Sequence, residues 1–182
     1  MLEPEHAREL FPKPNPWSAA DVAEILRERG WLGGHAAREH LEWCERAALL
    51  LGPQAGDRAA LEGLLRLVFH YDAAELIGQV EAHAVLSRNA ARDVVRETAL
   101  LLLDGGTLDS ERFKEVVAAL KERLELRSRD LFHPIRLALA GKVGEGQLDR
   151  VILLIDGAAA LRWEAPVKNA RTRMLEFCSA LD

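Results

Sequence analysis

Gln147-Leu-Asp-Arg-Val-Ile-Leu-Leu-Ile-Asp156 is the stretch on which the fold class turns. Its five consecutive apolar residues, Val151 to Ile155, suit either a strand buried on both faces or a helix buried nearly all round. A buried strand needs a partner to take up its backbone N–H and C=O groups. No partner strand is evident elsewhere in the chain. The stretch therefore reads as a buried helix, and the protein as all-α.

Composition points the same way. The chain has 182 residues, of which 49% are hydrophobic, 29% charged and only 5% aromatic. Ala, Leu, Arg and Glu dominate, and β-branched residues are sparse, which favours helix over sheet. This length buries a core without help from disulfides or metals. The two cysteines, Cys44 and Cys178, are too few for a disulfide framework and are expected to be free thiols in a reducing cytoplasm. No apolar run approaches the ~20 residues of a membrane-spanning helix, and residues 1–17 lack the apolar segment of a signal peptide. The expected location is the cytoplasm.

Working outward from 147–156, helical periodicity recurs along the chain. Residues 1–17, with Pro4, Pro12, Pro14 and Pro16, read as an irregular arm that Trp17 pins to the body. Ser18-Ala-Ala-Asp21 approximates a capping box and opens a helix through Val22, Ile25 and Leu26. His35 to Leu51 follows, with Ala37, Leu41, Cys44 and Ala48 on its inner face. Asp57 to Phe69 carries Leu61, Leu64, Leu65 and Val68. Asp72 and Glu75 cap a helix through Leu76, Ile77, Val80 and Ala84. Asn89 opens the next, and Asp104-Gly105-Gly106 is the clearest turn in the chain. Beyond it, Asp109 or Ser110 caps a long helix with Phe113, Val116, Val117, Leu120 and Leu124 inward. Arg127 to Asp130 reads as a polar connector, and Pro134 as the first turn of a short helix. Gly157 is expected to interrupt the helix after Asp156, and Pro166 to begin a last one. The expected organisation is an arm (1–17), two packed helical subdomains (18–105 and 106–165) and a helical tail (166–182).

The net charge of −5 is uneven. Residues 1–111 hold 11 Lys and Arg against 19 Asp and Glu, whereas 112–150 hold 9 against 6. The acidic half argues against a protein that coats nucleic acid through many phosphate contacts. The second half carries either a local basic face or a mixed, solvated helix surface.

Few motifs carry chemistry. None of the six histidines pairs at i, i+4 with a helper acid as a helical zinc site requires. Neither cysteine sits in a Cys-x-x-Cys motif. Ala140-Gly-Lys-Val-Gly-Glu-Gly146 looks superficially phosphate-binding but lacks the spacing and preceding strand of a P-loop. Carboxylates alternate with arginines as exposed helical pairs do, and no two are singled out for acid–base work. No catalytic residue, metal site or cofactor is expected.

One segment is specific: Arg127-Ser-Arg-Asp-Leu-Phe-His-Pro-Ile-Arg-Leu-Ala-Leu-Ala-Gly141. It resembles the C-terminal signature of bacterial glutamyl-tRNA synthetases, a Leu/Phe followed by Pro-Leu-Arg-x-Ala-Leu-Thr-Gly. Leu131, Phe132, Pro134, Arg136, Ala138, Leu139 and Gly141 match as they stand, while Ile135 replaces leucine and Ala140 replaces threonine. The similarity extends over about residues 57–163. It implies a helical cage that embraces the tRNA anticodon, a single-stranded loop read by stacking and hydrogen bonds to splayed bases. Carried over residue by residue, it points to Glu145, Gly146, Gln147 and Leu148, at the loop before the leucine-led helix. Glu145 departs from the family, being an acid where a small or hydroxyl residue is usual. Arg136 matches the signature arginine and either contacts RNA or makes an ion pair within the bundle. Lys142 and Arg150 are candidates for phosphate contacts by charge.

The His-x-Gly-His and Lys-Met-Ser-Lys-Ser motifs of class I synthetases do not occur in the chain. Self-contained aminoacylation is therefore not expected. The leading expectation is a non-catalytic module that binds tRNA, glutamate tRNA first, directly or beside a separate synthetase. The rivals are a protein-interaction module that kept the fold, and a synthetase fragment active only with its catalytic half. Met1 and the proline-rich start favour a free-standing chain over a cut fragment.

Overall fold

The computed structural model describes residues 14–182, and every residue described outside turns and connecting loops is helical. Pro4 and Pro12 of the expected arm lie outside the described residues. Ten α-helices follow in order: α1 Ala19–Glu28, α2 Arg38–Leu51, α3 Arg58–Phe69, α4 Ala73–Ile77 and α5 Val80–Leu86, then α6 Ala91–Leu102, α7 Ser110–Leu124, α8 Ser128–Ala140, α9 Gln147–Ala159 and α10 Ala170–Leu181. A short 3₁₀ turn, Gly52–Gln54, follows α2. None of these helices is long and apolar enough to cross a membrane.

Local sequence sets half of the helix starts through side-chain caps. Ser18 and Asp21 form the anticipated reciprocal capping box. Asp57, Asp72, Asp109 and Asn169 each accept a hydrogen bond from a backbone N–H three residues on. Trp17 Nε1–H donates to the Ala55 carbonyl at 3.2 Å and Asn15 to that of Ala48 at 2.9 Å, which ties the segment before α1 to the body.

The helix Gln147–Ala159 is indeed buried nearly all round, with Leu148, Val151, Ile152, Leu154, Ile155 and Ala158 inside. It packs against α2, α3 and α8, while α8 packs in turn against α6 and α10. These two central helices join buried side chains from Val22 to Phe177 into one contiguous cluster. The stretch 166–182 belongs to that cluster, since Ala170, Met174 and Phe177 of α10 are buried in it. Four aromatic rings form a second packing centre. Trp31 stacks on Phe69 at 4.9 Å, and Trp43, Phe69 and Trp163 meet edge to face at 5.0–5.7 Å.

Several expectations need correction. The helix expected from Asp72 through Ala84 is two helices, because Gln79 is extended and breaks the run; Val80 is 84% exposed. On α2 the inner face is Trp43, Cys44, Ala47, Ala48 and Leu51, and Leu41 is 44% exposed. The larger Trp43 turns the helix toward the aromatic cluster. Residues 128–130 are helical rather than a connector, so Pro134 sits inside α8. Its ring removes the N–H that would have bonded the carbonyl of Asp130 and crowds that carbonyl, in the second turn of the helix. Gly157 does not stop α9, which runs on to Ala159 along the Trp43 ring; Trp43 Nε1–H donates to the Leu154 carbonyl at 3.1 Å. The last helix begins at Ala170, capped by Asn169, and not at Pro166.

Candidate functional site

The residues singled out around 136–150 converge at the turn between α8 and α9. Helix α7 ends where Glu125 takes a left-handed conformation (φ 54°), and the chain re-enters α8 through extended Arg127. At helical spacing, Arg129, His133 and Arg136 share one face of α8. Gly141 closes that helix with φ 77°, a conformation that glycine adopts without steric penalty, and its N–H bonds the Leu137 carbonyl at 3.0 Å. The turn then leads through Glu145 and Gly146 into α9.

Arg136 is buried and three of its five N–H donors are engaged. Nε and Nη2 form a two-pronged pair with Asp149 at 2.8 and 3.0 Å, and Nη1 reaches the Gly144 carbonyl at 3.2 Å. This fork-to-fork geometry is the strongest form of such a pair. Its guanidinium also lies 4.8 Å over the Phe132 ring. Of the two roles open to Arg136, the structure contains the ion pair within the bundle. Asp149 sits in the first turn of α9, where a negative charge complements the helix dipole.

Leu148 is 1% exposed and packs in the core. Its leucine character serves packing, so the accessible part of the carried-over set is Lys142, Glu145, Gly146 and Arg150, with Gln147 half-buried. Glu145 faces back toward α8. Its carboxylate lies 3.6 Å from His133 Nε2, 3.9 Å from Arg136 Nη1 and 4.0 Å from Arg129 Nε. His133 Nδ1 is contacted by Arg88 Nη1 at 2.9 Å, from the turn before α6.

Four members of this constellation, Arg88, Arg129, His133 and Asp149, were not among the sequence candidates. Arg88 is distant in the chain and no local pattern connects it to His133. The i, i+4 and i+7 spacing of Arg129, His133 and Arg136 marks one helix face only because 128–130 are helical, whereas the sequence reads them as a connector. Among the described residues no group of three or more His, Cys, Asp or Glu side chains is placed to hold a metal ion.

A second polar centre lies behind the site. Arg173 of α10 is 0% exposed and donates to four carbonyls: Lys168 at 2.9 Å, Leu67 at 2.9 Å, Val68 at 2.6 Å and Leu139 at 3.0 Å. Leu67 and Val68 end α3, and Leu139 ends α8, so these carbonyls have no partner within their own helices. The guanidinium therefore caps two helix C-termini at once, where the dipoles favour a cation. Burial pulls its pKa down to about 10, leaving it charged at neutral pH. It rests 4.7 Å over the Tyr71 ring. The Tyr71 hydroxyl, itself pushed up by burial, bonds the neighbouring Ala138 carbonyl.

Compared with protein-family models, with curated proteins and with solved structures, the chain matches none. What the fold establishes is an all-α protein with a cationic, loop-centred polar site between its two central helices.

Proposed function

We propose that this chain is a non-catalytic nucleic-acid-binding module whose ligand is a tRNA, engaged at its single-stranded anticodon loop. The observation that supports this reading is the concentration of cationic groups around the 141–146 turn. Arg129, Lys142 and Arg150 are exposed there, and Arg136 with His133 lies beneath them. Exposed guanidinium and ammonium groups suit phosphate contacts, which position a strand without reading its sequence. The similarity of 127–141 to the glutamyl-tRNA synthetase signature supports the choice of tRNA over other nucleic acids. Glutamate tRNA is the first candidate, bound directly or in company with a separate synthetase or catalytic half.

A titration of folded protein with purified glutamate tRNA and an unrelated tRNA tests the reading. Tight, selective binding that weakens steeply with salt is expected. Absence of binding to either tRNA at low salt would refute it.

A protein-interaction module is the second reading. The acidic excess over residues 1–111 and the Glu145 carboxylate amid the cationic groups favour it. Recovery of a stable protein partner without RNA from native lysate would support that alternative.

A further inference from the structure

Among the described residues, His133 Nε2 is a buried side-chain nitrogen with no hydrogen-bond partner. Buried polar atoms of this kind are rare in folded proteins and ask for an explanation. Arg88 supplies the first part of it. A guanidinium only donates, so Nδ1 of His133, 2.9 Å from Arg88 Nη1, is the acceptor. The neutral ring then carries its proton on Nε2. That N–H faces Glu145 Oε1 at 3.6 Å, beyond hydrogen-bond distance.

The same carboxylate has two other cationic neighbours that also fall short of it, Arg136 Nη1 at 3.9 Å and Arg129 Nε at 4.0 Å. Three donors thus converge on a planar anion that hydrogen-bonds to none of them. Glu145 is 63% exposed, and rotation about its side-chain bonds alone moves it into solvent. With Glu145 swung out, His133 Nε2–H and Arg129 lose their neighbouring carboxylate, while Arg136 keeps Asp149. A tetrahedral phosphate points its oxygens in several directions and so meets three convergent donors better than a planar carboxylate does.

We propose that His133, Arg129 and Arg136 form a phosphate-binding subsite, loosely occupied by Glu145 until the ligand displaces it. His133 contributes the Nε2–H that lacks a partner, Arg136 is fixed in place by Asp149, and Arg88 sets the histidine tautomer as a positioning residue. The phosphate is carried on a nucleic-acid strand or is free in solution. As a subsite for a phosphodiester the inference rests on the proposed function; as an oxyanion site it stands without it. The departure of Glu145 from the small or hydroxyl residue expected at that position then has a physical role, that of an internal competitor for the anion.

The test is a titration of isotope-labelled protein with inorganic phosphate at constant ionic strength, chloride serving as the control, and in parallel with a short single-stranded RNA. Resonances of the His133 ring and of the Glu145 and Gly146 amides are followed. Phosphate is expected to move all three, with chloride silent. Glu145→Gln should bind phosphate about fivefold more tightly and Arg129→Gln about fivefold more weakly, the upper range for a solvent-exposed charge pair. Both positions are exposed, so both variants should keep the native far-UV spectrum. No phosphate-dependent shift in either the wild-type protein or Glu145→Gln would overturn the subsite. RNA binding with phosphate silent at these resonances would also overturn it while leaving the proposed function standing. Phosphate binding without RNA binding would keep the oxyanion site and remove the nucleic-acid reading.

Discussion

Replacing Arg173 by methionine tests the most consequential buried contact in the protein. Methionine fills a similar volume, so the change removes charge and hydrogen bonds with little cavity. Four carbonyls lose their donor, three of them at the buried ends of α3 and α8. Each buried acceptor left unsatisfied costs about 1–3 kcal/mol. Removing a guanidinium that is 0% exposed relieves several kcal/mol of desolvation in the opposite direction. The carbonyls win, because nothing apolar satisfies them and no carboxylate among the described residues is left to be stranded by the change. A net loss of about 3–5 kcal/mol is expected, against a total stability of about 5–15 kcal/mol for an ordinary domain. Urea unfolding followed by far-UV circular dichroism measures it, with an unchanged denaturant slope showing that the native state is otherwise intact. Tyr71→Phe should lose about 1 kcal/mol, and the double variant less than the sum, because both side chains cap the end of α8. A stability within about 1 kcal/mol of wild type for Arg173→Met would refute the reasoning, since a charge so placed would then be contributing nothing to the helix ends.

Leu120→Ala and Leu139→Ala should each lose about 2–5 kcal/mol, because both side chains are fully enclosed in the common core; equilibrium unfolding checks this, and near-zero loss at both would show that the buried faces of α7 and α8 are misassigned. Asp21 should titrate below the usual aspartate range, held down first by the Ser18 N–H and then by the Ser18 hydroxyl. Its contribution to stability is present above the ordinary carboxylate pKa and fades as pH falls through the depressed folded value. Carboxyl resonances read this directly, and Ser18→Ala should move the titration back upward. Cys44, whose thiol burial raises to about 11, should resist alkylation at neutral pH in the folded protein. Mass spectrometry after timed labelling should find the half-exposed Cys178 modified first, and rapid labelling of Cys44 would contradict its enclosure.

Much of the local architecture was legible in residue order. Capping side chains announce their helix starts through contacts three residues long, as at Ser18, Asp57, Asp72 and Asp109, and apolar spacing marks the inner faces of α3 and α7. The corrections fall where a distant partner outweighs the local signal. Gly157 does not punctuate α9, because the buried residues around it, Leu154, Ile155 and Ala158, hold the helix through it. Leu148 matched a signature as a recognition residue, yet it is packed inside the bundle. Arg129, His133 and Arg136 share a face because 128–130 extend α8 in place of the expected connector, and Arg88 and Asp149 reach them only after the chain folds back.

By itself the sequence determined the all-helical class, the starts of α1, α3, α4, α7 and α9, and the burial of the stretch 147–156. Those follow from interactions within a few residues, where backbone hydrogen bonding and apolar periodicity act. Only the tertiary structure decided that Arg173 would seal two helix ends and that His133 Nε2 would face a carboxylate it does not reach. Charges and orphaned polar atoms answer to the three-dimensional arrangement of donors and acceptors, and that arrangement joins residues more than 100 positions apart, as in the pairing of Arg173 with Leu67 and Val68.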